Sequence, residues 1–90
     1  MKDKNYVDLK DKVVAVKWHD ACTLRNGWQE LPEDYSADAY LANSWGRLIY
    51  EDDKVIVVSS TYVEETEDIN RQINGGMIIP KGCIIEITSF

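Results

Sequence analysis

The sequence predicts a mainly β fold: a small five-stranded, strongly bent antiparallel barrel with a short N-terminal helix and a long excursion between its first two strands. Three observations predict it. Residues 13–19 are β-branched and alternate, with Val14, Val16 and Trp18 on one face and Val13, Ala15 and Lys17 on the other. Residues 44–51 and 54–63 alternate on either side of Asp52-Asp53, a polar reversal of the length a β-hairpin uses. Asn74-Gly75-Gly76 and Pro80-Lys81-Gly82 then cut the C-terminal apolar residues into two more strands, over 77–79 and 83–88.

The remaining elements follow in chain order. Between Lys4 and Lys12, Tyr6 and Leu9 stand three apart among charges, the spacing of one or two helical turns leaning on a core. Residues 20–43 form the excursion. Asn26-Gly27 signals a turn there, and Pro32-Glu33-Asp34 suits the first turn of a short helix over 33–41. An irregular path with Tyr35, Tyr40 and Leu41 tucked down onto the body fits the same residues. The polar run from Glu64 to Gln72 reads as a loop. No repeat or low-complexity segment divides the chain, so residues 1–90 are expected to form one domain.

Ninety residues with 44% apolar content, three Trp, five Tyr and one Phe hold enough core formers to fold despite 29% charge. A chain this short buries a modest share of its surface, and self-association through strand edges would relieve that limit. Sixteen acidic residues against ten basic give a net charge of −6, so the mean field repels phosphate backbones and disfavours RNA or DNA as partners. Lys10, Lys12 and Lys17 cluster early, and Arg47, Arg71 and Lys81 would add a basic patch if the fold brought them together. No stretch approaches membrane-spanning length and no apolar run follows the first residues, which points to the cytoplasm and away from a membrane. Cys22 and Cys83 have no paired spacing and are expected to be reduced thiols.

Catalysis has no visible home. His19 and Asp20 are adjacent on a strand, so their side chains point to opposite faces and do not pair simply. One His and two scattered Cys offer no zinc-like ligand set, and the acidic run from Glu64 to Asp68 lacks the ligand order of a calcium loop. Ser59 and Ser60 lack the glycine-flanked elbow of a nucleophile, and Gly75-Gly76 is followed by no lysine-serine pair or helix that would make a phosphate loop. No catalytic residue, metal or cofactor is expected. Trp18 reads as core, whereas Trp28 follows a turn glycine in a polar stretch, where exposure would signal a contact surface.

Residues Gly46-Arg47-Leu48 through Asp52-Asp53-Lys54-Val55 resemble the first signature of Sm-like proteins: a glycine, a leucine two later, then an aspartate before an apolar run. Ile79-Pro80-Lys81-Gly82-Cys83-Ile84 is similar to their second signature, in which a basic residue and a glycine precede the last strand. The resemblance spans the C-terminal half and implies an Sm-like or SH3-like barrel. Ile56 and Cys83 stand where the family places base-reading asparagines, so RNA recognition is not expected to carry over except through Lys81 and stacking surfaces. The excursion is also longer than the connection usual in that family.

A second resemblance covers nearly the whole chain. Trp18, Asp20, Ala21, Gly27-Trp28, Ser44, Gly46 and the 79–84 segment are similar to small proteins of unknown function encoded by bacteriophages and prophages. It implies a phage accessory protein in a bacterial cytoplasm and brings no activity with it. Together with the small size and the acidity, the expectation is a non-catalytic factor that binds or sequesters a host protein or a small nucleotide signal, as an oligomer. An RNA binder and a structural protein of the phage particle are the alternatives. For a small anion the candidate contacts are Lys17, Arg25, Arg47, Arg71 and Lys81, with Trp28 or Trp45 as a stacking face. For a basic host protein they are Glu51, Asp52 and Asp53 together with Glu64, Glu65, Glu67 and Asp68.

Overall fold

A computed structural model of the chain describes residues 6–21 and 27–90. One helical turn, α1 (Tyr6–Leu9), precedes β1 (Val13–Asp20), β2 (Tyr40–Glu51), β3 (Val55–Ser59), β4 (Thr61–Val63), β5 (Gln72–Asn74), β6 (Met77–Pro80) and β7 (Ile84–Ser89). A 3-10 turn over Lys81–Cys83 joins the last two strands. Five strands make one antiparallel sheet in the order β6-β3-β2-β1-β7, and β4 pairs with β5 apart from it.

The sheet is open, with β6 and β7 as its edges, but it is not flat. Four inter-strand gaps of about 4.8 Å would set the edges of a flat sheet roughly 19 Å apart. The four residue steps from Pro80 to Ile84 reach at most about 14 Å, so the sheet must curl until its edges approach at this end. Irregularities in register between Leu48 and Tyr50 on β2 and between Lys17 and Trp18 on β1 assist the bend.

Alternation decides what the curl encloses. Val14, Val16 and Trp18 of β1 point inward and join Tyr6, Leu48, Ile56, Val58, Ile79 and Ile84 in the buried core. The indole Nε1 of Trp18 donates to Ser44 Oγ at 3.1 Å, which satisfies its one polar atom. Helix α1 is stapled to the sheet at its exit: Asp11 N–H donates to Leu48 O at 2.7 Å and Leu48 N–H to Lys12 O at 2.9 Å. Asp11 takes a left-handed φ of 66° to make that turn, a conformation aspartate tolerates better than most residues. At Gly46 a Cβ would lie 2.8 Å from Val58 Cγ1 and against the Ser59 carbonyl, so only glycine lets β2 approach β3 there.

Several expectations are corrected. Residues 33–41 are not helical: 33–39 are irregular, Tyr40 and Leu41 already belong to β2, and Tyr35, Tyr40 and Leu41 are exposed rather than tucked down. The strand expected over 54–63 breaks at Ser60. Ser59 turns there, its buried hydroxyl 2.8 Å from Thr61 O and 3.1 Å from Gly75 O, and β4 leaves the main sheet to pair with β5. The loop expected over 64–72 ends one residue earlier, because Gln72 begins β5. Cys83 closes the 3-10 turn instead of opening the last strand. Cys22 and Asn26 lie outside the described residues, as do Lys4 and Asn5 of the leading helix.

Candidate functional site

The two longest strands set the geometry. β1 pairs with β2 from Val13 opposite Arg47 to Asp20 opposite Tyr40, whereas β3 pairs with β2 only from Arg47 onward. Past Trp18, where β7 stops pairing with β1, the β1–β2 ladder runs on for two more pairs, and the described residues 27–39 lead into it on the β2 side. Every described residue from Gly27 to Ala39 is exposed, Trp28 completely (105%) and Leu31 at 76%. The radius of gyration, 17.1 Å against about 12 Å for a compact chain of this length, reflects the projection. Between Gly27 and Gly46 the arm carries Glu30, Glu33, Asp34 and Asp38 and no lysine or arginine. It is apolar, aromatic and acidic together.

A second feature lies where the arm joins the body. Arg47 of β2 sets its guanidinium carbon 4.3 Å from the centre of the Tyr62 ring, and Arg71, just before β5, sets its own at 5.1 Å. Arg71 also donates to Asp11 Oδ1 at 3.1 Å. Among the described residues Arg47 has no carboxylate partner. The break at Ser60 creates this cluster, because it swings Tyr62 on β4 over β2. Arg47 and Arg71 were candidates in the sequence. Tyr62 was not, and its only signal there was an aromatic close to the acidic run.

The other candidates separate. Lys81 Nζ donates to Glu51 Oε2 at 2.8 Å, both side chains largely covered, and sits 4.5 Å from the Tyr6 ring centre. It fastens the 3-10 turn to β2 and α1. Burial raises the Tyr6 phenol above its usual range, and the Lys81 ammonium opposes that shift. Asp52 closes the β2–β3 hairpin: Oδ1 accepts from Lys54 N–H and Val55 N–H at 2.8 Å each, and Oδ2 from the Tyr50 hydroxyl at 2.9 Å. Glu51 and Asp52 are thus engaged inside the molecule, while Asp53 stays exposed.

Lys17 and Trp45 lie on the outer face, Lys17 opposite Asn43 and Glu86 and Trp45 opposite Ala15, away from the Lys81 pair. Arg25 lies outside the described residues. Glu64, Glu65, Glu67 and Asp68 are exposed at the tip of the β4–β5 hairpin, where Thr66 Oγ1 accepts from Asp68 N–H and Ile69 N–H. Ile56 is wholly buried and touches no surface. His19 is exposed and faces Leu41. Among the described residues no three His, Cys, Asp or Glu side chains gather as they would around a metal ion, and no helix is long and apolar enough to cross a membrane.

Comparison of the chain with known protein families, with characterised proteins and with solved structures returns no match.

Proposed function

We propose that this is a non-catalytic binding protein that captures a host protein on its β1–β2 arm, as a phage-type accessory factor. The observation that carries the reading is the arm itself: Trp28, Leu31 and Tyr35 stand in solvent beside Glu30, Glu33, Asp34 and Asp38. Exposed aromatic anchors bounded by charge of one sign suit a partner with an apolar groove and a basic rim. The acidic tip of the β4–β5 hairpin adds a second anionic projection for the same kind of surface. The sheet order and the 3-10 turn between β6 and β7 support reading the body as an incompletely closed Sm-like barrel that serves as a scaffold. The burial of Ile56 and the pairing of Lys81 with Glu51 weigh against the RNA-binding alternative, which would have to rely on Arg47.

The test compares wild type with Trp28→Ala/Leu31→Ala as bait in a bacterial lysate. The reading expects a discrete captured protein with a basic surface, released by raised salt and lost from the double variant, whose thermal unfolding is unchanged. Equal capture by both baits sinks it. A second reading, capture of a small phosphate-bearing signal, is favoured by Arg47 and Arg71 around Tyr62. It expects a nucleotide to raise the melting temperature of wild type but not of Arg47→Gln.

A further inference from the structure

The free strand edges of this molecule are not equally protected. β6 is four residues long and ends in Pro80. β7 carries Glu86 and pairs with β1 across a register shift. Short length, proline, charge and irregularity are the devices that keep edges from pairing with other chains. The third edge has none of them. It is the side of β2 from Tyr40 to Gly46 that β3 abandons at Ser59, and no described strand pairs there. Residues 39–46 contain no charged side chain and no proline, and their ladder with β1 is regular throughout.

We propose that Tyr40–Gly46 is a dimer interface, pairing antiparallel with the same segment of a second copy about a two-fold axis through Asn43. Opposed side chains in an antiparallel pair share a face, so an axis on Asn43 sets outer residues against outer ones. Leu41 (55% exposed) then faces Trp45 (62% exposed) twice, and Asn43 faces its own copy. Tyr40 falls opposite Gly46 and Ala42 opposite Ser44. The segment also fits the gap it must fill, because the next step would oppose Arg47, whose edge Ser59 already occupies, and β2 stops at Tyr40.

Charge completes the match. Asp38 of one copy emerges beside Arg47 of the other, a guanidinium with no carboxylate of its own among the described residues.

Sedimentation velocity on the full chain is expected to give a particle of twice the 10.3 kDa chain mass. In a Cys22→Ser/Cys83→Ser background, Asn43→Cys should oxidise to a covalent dimer, whereas Ser44→Cys, off the axis, should not. Leu41→Lys/Trp45→Lys should weaken association by about tenfold or more, since it places like charges on a bare edge. A wild type that sediments as a monomer throughout the micromolar range overturns the proposal. So does a dimer that survives the lysine pair, or that fails to cross-link at position 43, because it must then use β6, β7 or the arm. If the lysine pair does not fold by circular dichroism, cross-linking at 43 against 44 decides alone. Trp28→Ala should leave the dimer intact, which separates this interface from host capture.

Discussion

The two halves of β2 share one strand and one partner in β1, yet they behave as different kinds of surface. From Arg47 to Glu51 the strand is roofed by β3, holds Leu48 wholly buried and ends in the Asp52 turn. From Tyr40 to Gly46 it has the same ladder on one side and no described strand paired on the other, with Trp45 and Leu41 in solvent and only Gly46 still packed on Val58 and Ser59. A single break at Ser60 makes the difference. Had β3 continued for seven more residues in the same register it would have covered the free half. By folding back at Ser59 the chain gives up that burial and keeps an edge, an arm and the Arg47–Tyr62–Arg71 cluster instead. The comparison locates the buried core in one half of the strand and the exposed apolar surface in the other.

The largest effect should come from removing volume beneath the roofed half. Leu48→Ala or Ile56→Ala empties a site with 0% exposure in a small core and is expected to cost about 2–5 kcal/mol in urea unfolding. Tyr35→Ala on the arm should stay within about 0.5 kcal/mol of wild type. An equal loss from both would mean that the arm packs onto the body and that the division of labour is wrong.

A smaller effect is expected at the hinge between the halves. Gly46→Val drives branched carbons into Val58 and the Ser59 carbonyl and should cost about 1–3 kcal/mol. Gly82→Ala meets nothing within 4 Å and should be close to neutral. Thermal unfolding of the two variants side by side reads the contrast. If Gly46→Val unfolds at the wild-type temperature, β2 and β3 can separate there without loss, and the break at Ser60 is not held by close packing.

The roofed half was legible in the sequence and the free half was not. Val14, Val16 and Trp18 announce their buried face by alternation alone, and Asp52 announces its turn because an aspartate side chain can organise the next residues without tertiary help. Nothing local marks Tyr40-Leu41-Ala42-Asn43 as strand. Their conformation is fixed by β1, some twenty residues earlier in the chain, and the pattern there is equally compatible with the end of a helix. The break at Ser60 was hidden because residues 55–63 are all β-branched, aromatic or serine, with no glycine, proline or asparagine to mark a turn. Only the hydroxyl of Ser59, satisfied by Thr61 and Gly75, shows why the chain turns. The Arg47–Tyr62–Arg71 cluster was half legible, since its cations were visible as candidates while the ring between them depends on that same turn. Lys81 follows the same rule: a lysine beside a glycine reads as available in the sequence, and the curl of the sheet delivers it to Glu51.

The mildest test concerns the turn that closes the roofed half, and it works through pH. The Asp52 carboxylate accepts first from Val55 N–H, then from Lys54 N–H and from the Tyr50 hydroxyl, and these bonds hold it below the ordinary aspartate value of 3.8. A carboxyl whose folded value is depressed contributes stability that is present above the unfolded value and is lost as pH falls through the folded one. Wild type should therefore lose this contribution progressively as pH drops below 3.8. Asp52→Asn keeps an oxygen that can accept from the same amides but carries no charge, so it should lack that dependence while preserving the turn. The difference between the urea midpoints of the two proteins should be small and favour wild type near neutral pH, then shrink on acidification. All other carboxylates are common to both chains and cancel in the difference. A gap that stays constant with pH would mean that the amides recognise the oxygen and not its charge. A gap that widens in acid would mean that the Asp52 carboxyl is raised in the fold and not depressed, and the hairpin would then owe its closure to the backbone bond from Asp52 N–H to Val55 O.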